Sequence, residues 1–230
     1  NVESVFVITS DGLMLEAWIY RAENKIGHNA IIFHGNAETL PNTFYMQNWL
    51  GELGISSVAI DYRGYGRSSG WPSEQGLYID GLTAWNVAVD YLDATPVKTI
   101  VVGNSIGTAI ASYVASKVNP AHLILFAPFT NLTTIVSQHS LFKYLTSFLW
   151  YTFPTSDHLS SIKNTNIVLV HGQKDTIIPF SESENLYKLF YKTHHLELLS
   201  MAEANHNDLF YFSKSEVAKI ILKNINTLDE

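Results

Sequence analysis

The sequence predicts an α/β architecture, a mostly parallel twisted sheet with helices on both faces. An N-terminal antiparallel hairpin and a small helical cap complete it. Short continuous apolar runs such as Ala30-Ile31-Ile32-Phe33 and Thr99-Ile100-Val101-Val102 have the pattern of strands buried on both faces. They alternate with longer stretches whose apolar residues recur at helical spacing, the rhythm of a parallel sheet joined by crossover helices. The length of 230 residues, with 47% apolar and 15% charged, suits one packed domain. Residues 1–230 are therefore read as a single domain with a cap insertion at about 130–161.

Val5-Phe6-Val7-Ile8 and Leu13 to Tyr20, joined by Ser10-Asp11-Gly12, form the hairpin, with Asp-Gly as the turn signal. Ala30 to Phe33 runs into His34-Gly35-Asn36-Ala37. A helix follows through Phe44, Met46, Trp49, Leu50 and Leu53 and closes at Gly54. Ser57 to Ile60 leads into the Gly-rich loop Asp61-Tyr62-Arg63-Gly64-Tyr65-Gly66-Arg67-Ser68-Ser69-Gly70. That loop lacks both phosphate-binding patterns, G-x-x-x-x-G-K-[ST] and G-x-G-x-x-G. It is read as a structural turn in which Asp61 and Arg63 hydrogen-bond locally. A helix spans about Gln75 to Ala94, with Leu77, Leu82, Trp85, Val89 and Leu92 at helical spacing and the Trp and Leu positions in the core.

After Val102 come Gly103-Asn104-Ser105-Ile106-Gly107 and a helix of small residues, ended by Pro120; His122 to Phe126 is the next strand. Residues about 130–161 break the rhythm with a dense apolar and aromatic segment, including Leu141, Phe142, Tyr144, Phe148, Trp150 and Phe153. This is the expected cap, either shaping an apolar substrate pocket or packing onto the body. Ile167 to Val170 ends in His171-Gly172-Gln173-Lys174-Asp175, a helix passes Leu186, Leu189 and Phe190, and His195 to Leu199 is the last strand. Asn205-His206-Asn207-Asp208 opens the final helix.

Composition removes several classes. The net charge of −7, without a Lys/Arg cluster, gives no support to nucleic-acid binding. With no cysteine, disulfides, a Cys nucleophile and Cys-ligated zinc are excluded. No stretch is long and apolar enough to span a membrane, so a soluble domain is expected, with membrane contact left open. The chain starts at Asn1 and not at Met, so a leader or anchor has been removed or the chain trimmed.

Gly103 to Gly107 has the setting of a nucleophile elbow. A serine on a sharp strand-to-helix turn is lifted clear of the backbone, and glycines two positions either side remove colliding side chains. The turn places Ser105 at a helix N-terminus, where the Ile106 N–H faces developing negative charge. Ser105, Asp175 and His206 each follow a strand, so all three project from one sheet edge, in the chain order Ser, Asp, His. His206 would move the Ser105 proton and Asp175 would orient the imidazole. The Asn36 backbone N–H is the expected second oxyanion donor. His34 and His171 are read as loop-ordering residues, and His194 and His195 lie in or beside a strand. The four-residue spacing of His171 and Asp175 lacks a third metal ligand, so no metal site is expected. Asp208, two residues from His206, is read as a helix cap and not the acid.

These motifs together resemble the α/β-hydrolase-fold serine hydrolases, and in detail the small branch that includes protein depalmitoylases and their bacterial relatives. The resemblance rests on His34 to Ala37, Asp61 to Gly70, Gly103 to Thr108, His171 to Asp175 and His206-Asn207-Asp208. It implies a Ser105, Asp175 and His206 triad, with Asn36 and Ile106 as oxyanion donors. It further implies hydrolysis of carboxylic ester or thioester bonds in a small-molecule ester or acyl substrate, lipid-like ones included, through an acyl-serine and without metal or organic cofactor. Similar triads also serve amide hydrolysis, and a non-catalytic binding protein could keep the fold. Having no cysteine, the chain lacks the Cys-rich N-terminal segment by which some depalmitoylases reach membranes.

Overall fold

In the computed structural model, which describes residues 2–138 and 151–226, strands β1 (Val2–Ile8) and β2 (Met14–Tyr20) pair antiparallel, Ile8 opposite Met14. Gly12, at φ 87°, gives the connecting turn the left-handed residue it requires. β2 pairs antiparallel with β4 (Ser56–Ile60). The strands β3 (Asn29–Phe33), β4, β5 (Thr99–Asn104), β6 (His122–Phe126), β7 (Asn166–Gly172) and β8 (His195–Met201) are parallel neighbours, and the sheet order is β1-β2-β4-β3-β5-β6-β7-β8. The fold is that of an α/β-hydrolase.

Each central strand feeds two cores because successive side chains point to opposite faces. On one face Ile31, Phe33, Val101, Leu123 and Leu125 pack with α2 (Glu74–Leu92) and α3 (Gly107–Val118). On the other, Ile32, Ile100, Val102 and Ile124 pack with α1 (Leu40–Glu52) and α7 (Leu209–Asn226). Helix α3 lies close to the sheet because Ala109, Ala111, Ser112 and Ala115 are buried along it. Gly81 of α2 lets that helix approach: a Cβ there would stand 2.8 Å from Ile110 and Val114. Ser73 caps α2 by accepting the Gly76 N–H, and Asp93 ends it in the left-handed conformation at φ 53°. That left-handed residue is why the helix stops at Leu92, short of the expected Ala94.

The strand order reverses between β3 and β5, whose following helices leave on opposite faces. That topology opens a crevice at the carboxyl ends of these two strands. Asn36 and Ser105 flank it.

The insertion expected at about 130–161 is described only at its ends, α4 (Leu132–Gln138) and α5 (Thr155–Ser160). The cap residues Leu141 to Trp150 lie outside the described residues. The ends belong to the body: Leu132, Ile135, Phe153 and Leu159 are buried in the same core as α2 and α3. Backbone hydrogen bonds Leu132 N to Thr152 O, 2.7 Å, and Ser156 N to Thr130 O, 3.1 Å, tie the two ends together. Two carboxylates staple them down. Glu182, in the first turn of α6 (Phe180–Phe190), accepts from the Thr130 N–H and hydroxyl, and Glu74 accepts from the Thr152 N–H.

Candidate active site

β5 delivers Ser105 on a turn whose backbone is forced. Ser105 sits at φ 54°, a left-handed value that costs a residue with a side chain of order 1–3 kcal/mol. A hydrogen bond from Ser105 N to the Phe126 carbonyl, 2.9 Å, holds it there. Both flanking glycines are required by space. A Cβ on Gly103 would stand 2.5 Å from the Gly107 carbonyl, and one on Gly107 would overlap the Phe33 carbonyl.

The three side chains expected at one rim meet in succession. His206 Nε2 lies 3.2 Å from Ser105 Oγ, and His206 Nδ1 lies 2.7 Å from Asp175 Oδ2. The other Asp175 oxygen accepts the N–H groups of Ile177 and Ile178, each at 2.8 Å, which fixes the carboxylate plane. Burial pushes the Asp175 carboxyl up. Hydrogen bonds from His171 and His206 and from the Ile178 N–H outweigh that and hold it below the usual carboxylate range. His171 itself is shared: its Nε2 is 2.9 Å from the Ile178 carbonyl and 3.4 Å from Asp175, while Nδ1 meets Ser183 Oγ at 2.6 Å. It fastens the Asp175 loop to β7 and α6. His34 orders its own loop, with Nδ1 2.8 Å from the Gly35 carbonyl and Tyr62 donating to the His34 carbonyl.

Asn36 and Ile106, the expected oxyanion donors, stand at the ends of β3 and β5. The hydrogen bonds of the described residues engage neither backbone N–H. Among the described residues no group of His, Asp or Glu side chains is arranged to hold a metal ion.

Three expectations are corrected. The Asp61 carbonyl does bond locally, accepting from the Ser68 hydroxyl at 2.6 Å, but the side chains reach out of the loop: the Asp61 carboxylate accepts from Leu40 N at the start of α1, and Arg63 forks onto Asp80 and Asp11, 17 and 52 residues away. Asp208 stands at the N-cap position of α7, its carbonyl accepting the Phe212 N–H at 3.2 Å, but its side chain does not cap: the carboxylate accepts from the backbone and side chain of Asn205, closing the turn that presents His206. The final helix accordingly begins at Leu209, not at Asn205. Three residues are given no role of their own by the sequence reading: Glu38, which accepts from the Gly35 N–H and the Asn104 amide, Asn104 itself, and Tyr65, which donates to the Asn36 side chain. Their only sequence signal is proximity to motifs: Glu38 follows His34 to Ala37, Asn104 precedes the serine and Tyr65 lies inside the Gly-rich loop.

The family model described as "Serine aminopeptidase, S33" (Hydrolase_4) matches residues 26–167, which include Ser105 and stop short of Asp175 and His206. Uncharacterized protein YfhR of Escherichia coli K12 is 30% identical over 217 residues, covering 91% of this chain and 75% of YfhR. Lysophosphatidylserine lipase ABHD12 of Danio rerio is 30% identical over 190 residues, 74% of this chain and 49% of that protein. Among solved structures, the esterase Pf2001 of Pyrococcus furiosus superposes with a TM-score of 0.77 at 20% identity, covering 99% of this chain and 90% of the esterase. A match over residues 26–167 is more than half of the chain, so the chain belongs to the serine aminopeptidase S33 family of α/β-hydrolases.

Proposed function

We propose that the protein is a serine hydrolase that cleaves carboxylic ester or thioester bonds through an acyl-Ser105 intermediate. The observation that carries this is the unbroken succession Ser105 Oγ, His206, Asp175 at 3.2 and 2.7 Å on a left-handed elbow. In the first half-reaction His206 Nε2 takes the Ser105 proton as Oγ attacks the carbonyl carbon. The resulting oxyanion meets the N–H groups of Asn36 and Ile106, and His206 then protonates the departing alkoxide or thiolate. Water, deprotonated by the same imidazole, hydrolyses the acyl-serine and restores Ser105. Asp175, ionised throughout, holds Nδ1–H and so leaves Nε2 free to act as the base.

An ester with an apolar, lipid-like acyl group fits the esterase and lipase neighbours and the depalmitoylase-like motifs. The insertion at about 130–161 is the segment that would shape its pocket. The family's description favours a second reading, amide hydrolysis by the same residues.

The test uses p-nitrophenyl esters of graded chain length against the matching amides, with fluorophosphonate labelling. Ester turnover and labelling, both lost in Ser105→Ala, are expected. Turnover that survives in Ser105→Ala removes the acyl-Ser105 route, a preference for amides selects the peptidase, and a wild-type chain that neither turns over nor labels is a binding protein.

A further inference from the structure

We infer that Glu38 and Tyr65 are positioning residues for the oxyanion hole, Glu38 tying its two halves together and Tyr65 fixing the Asn36 half. The inference deepens the proposed function and rests on it. The hole is built from two strands: Asn36 comes from the loop after β3, Ile106 from the elbow after β5. Nothing in the parallel pairing of β3 with β5 extends that far, since the last register pair is Phe33 with Gly103. Beyond it the two loops need a connection of their own.

Glu38 supplies one. Its Oε2 accepts the Gly35 N–H at 2.5 Å and the Asn104 Nδ2 at 3.3 Å, so a single carboxylate grips the loop just before Asn36 and the residue just before Ser105. Tyr65, from the loop after β4, braces the Asn36 half. Its hydroxyl donates to Asn36 Oδ1 at 2.8 Å, and its ring leans on His34 at 5.4 Å between centroids. Burial pushes the Tyr65 phenol up to about 12, so it stays a donor at any working pH. The segment between these grips is held away from relaxed geometry: Ala37 sits at φ 60°, which a side-chain-bearing residue keeps only where its surroundings over-determine it. Gly35 is enclosed by the Glu38 carboxylate and the Asn104 amide, since a Cβ there would meet them at 3.1 Å and 3.3 Å. With Asn36 clamped through its side chain and its neighbour's N–H, the Asn36 backbone N–H is left free of protein partners and fixed in direction. A preorganised donor needs both properties.

The prediction is a loss in the transition state and not in substrate binding. Displacement of a reacting group by about 1 Å costs on the order of a hundredfold in rate. Glu38→Ala should lower kcat roughly ten- to a hundredfold with KM within about twofold, and Tyr65→Phe, which removes one oxygen, roughly tenfold. Affinity for a trifluoromethyl ketone, whose Ser105 adduct places an oxyanion in the hole, should fall by the same factor as kcat/KM in each variant. Glu38→Gln, which keeps an acceptor for Gly35, should recover part of the loss. Because both residues act on one hole, the double variant should lose less than the product of the single effects.

Variants that keep kcat within about twofold of wild type overturn the inference. So does a fall in kcat that leaves trifluoromethyl ketone affinity untouched, or one matched by a general loss of thermal stability in Tyr65→Phe. A wild-type chain that turns over no ester and takes no fluorophosphonate overturns the hydrolase reading, and this one with it. An active wild type with unaffected variants overturns this one alone.

Discussion

A side chain at Gly107 would occupy the place of the Phe33 carbonyl oxygen, and the atoms around it are backbone, which cannot swing aside. Gly107→Ala is therefore expected to destabilise the fold by more than about 3 kcal/mol in urea unfolding and to abolish fluorophosphonate labelling of any folded remainder. A fully labelled, stable Gly107→Ala protein would contradict the elbow geometry. At this scale the sequence was most readable. The glycines, Ser105, Asp175 and His206 announce themselves because an elbow and a strand-end loop are local arrangements, set within five residues. Glu38 and Tyr65 stayed hidden for the opposite reason: what makes them notable is a partner brought in by the sheet, from 66 residues away for Asn104 and 29 for Asn36.

Among the elements, the Gly-rich loop after β4 shows how a buried charge is managed. Arg63 donates to both oxygens of Asp80 in α2 and to Asp11 in the β1–β2 turn, so one guanidinium ties loop, helix and hairpin. The two acids differ in setting. Asp80 is fully buried, and desolvation raises its carboxyl despite the hydrogen bonds from Arg63. Asp11 is 38% exposed, and hydrogen bonds from Arg63 and Thr9 lower its carboxyl to about 2. Removing the buried partner strands a cation in the interior, whereas removing the exposed one lets water replace it. Asp80→Ala should thus cost roughly 3–5 kcal/mol, and Asp11→Ala no more than about 1 kcal/mol, both read by denaturant titration. Equal costs would refute the distinction. The sequence marked this loop as structural and Arg63 as a hydrogen-bonding residue, but spacing alone could not name acids 17 and 52 positions distant. Helix limits were legible to within two residues where a capping side chain stood at the boundary, as at Ser73. They were misjudged at α7, where Asn205 to Asp208 make a turn from the same polar residues that also start helices.

For the molecule as a whole, acid should be the weak direction. His122 opens β6 fully buried, and burial, then repulsion from His28, lowers its pKa to about 4. An unfolded chain, with ordinary imidazoles near 6.5, binds more protons than the folded one between about pH 6.5 and 4. Stability consequently declines as pH drops through that window, by about 2 kcal/mol from pH 7 to 5 for this residue. Burial lowers His158 too, and adds to the decline in the same sense. His122→Gln should flatten the dependence of unfolding free energy on pH above 5, and an unaltered slope would clear His122 of responsibility. Glu16 acts only lower still. Its hydrogen bond from Arg67 outweighs burial and holds it to about 2, so its contribution fades below about pH 4. The parallel sheet and its hairpin were visible from strand-helix rhythm, but no sequence pattern states the order in which strands lie. The reversal between β3 and β5 emerges only when the chain is folded. The tied ends of the segment after Thr130 carry one more consequence. With 132 and 152 joined on the body, lengthening the stretch of chain between them adds only about 0.6 kcal/mol of closure cost per doubling. The body can therefore host cassettes of different length and composition at that doorway without disturbing the machinery beneath.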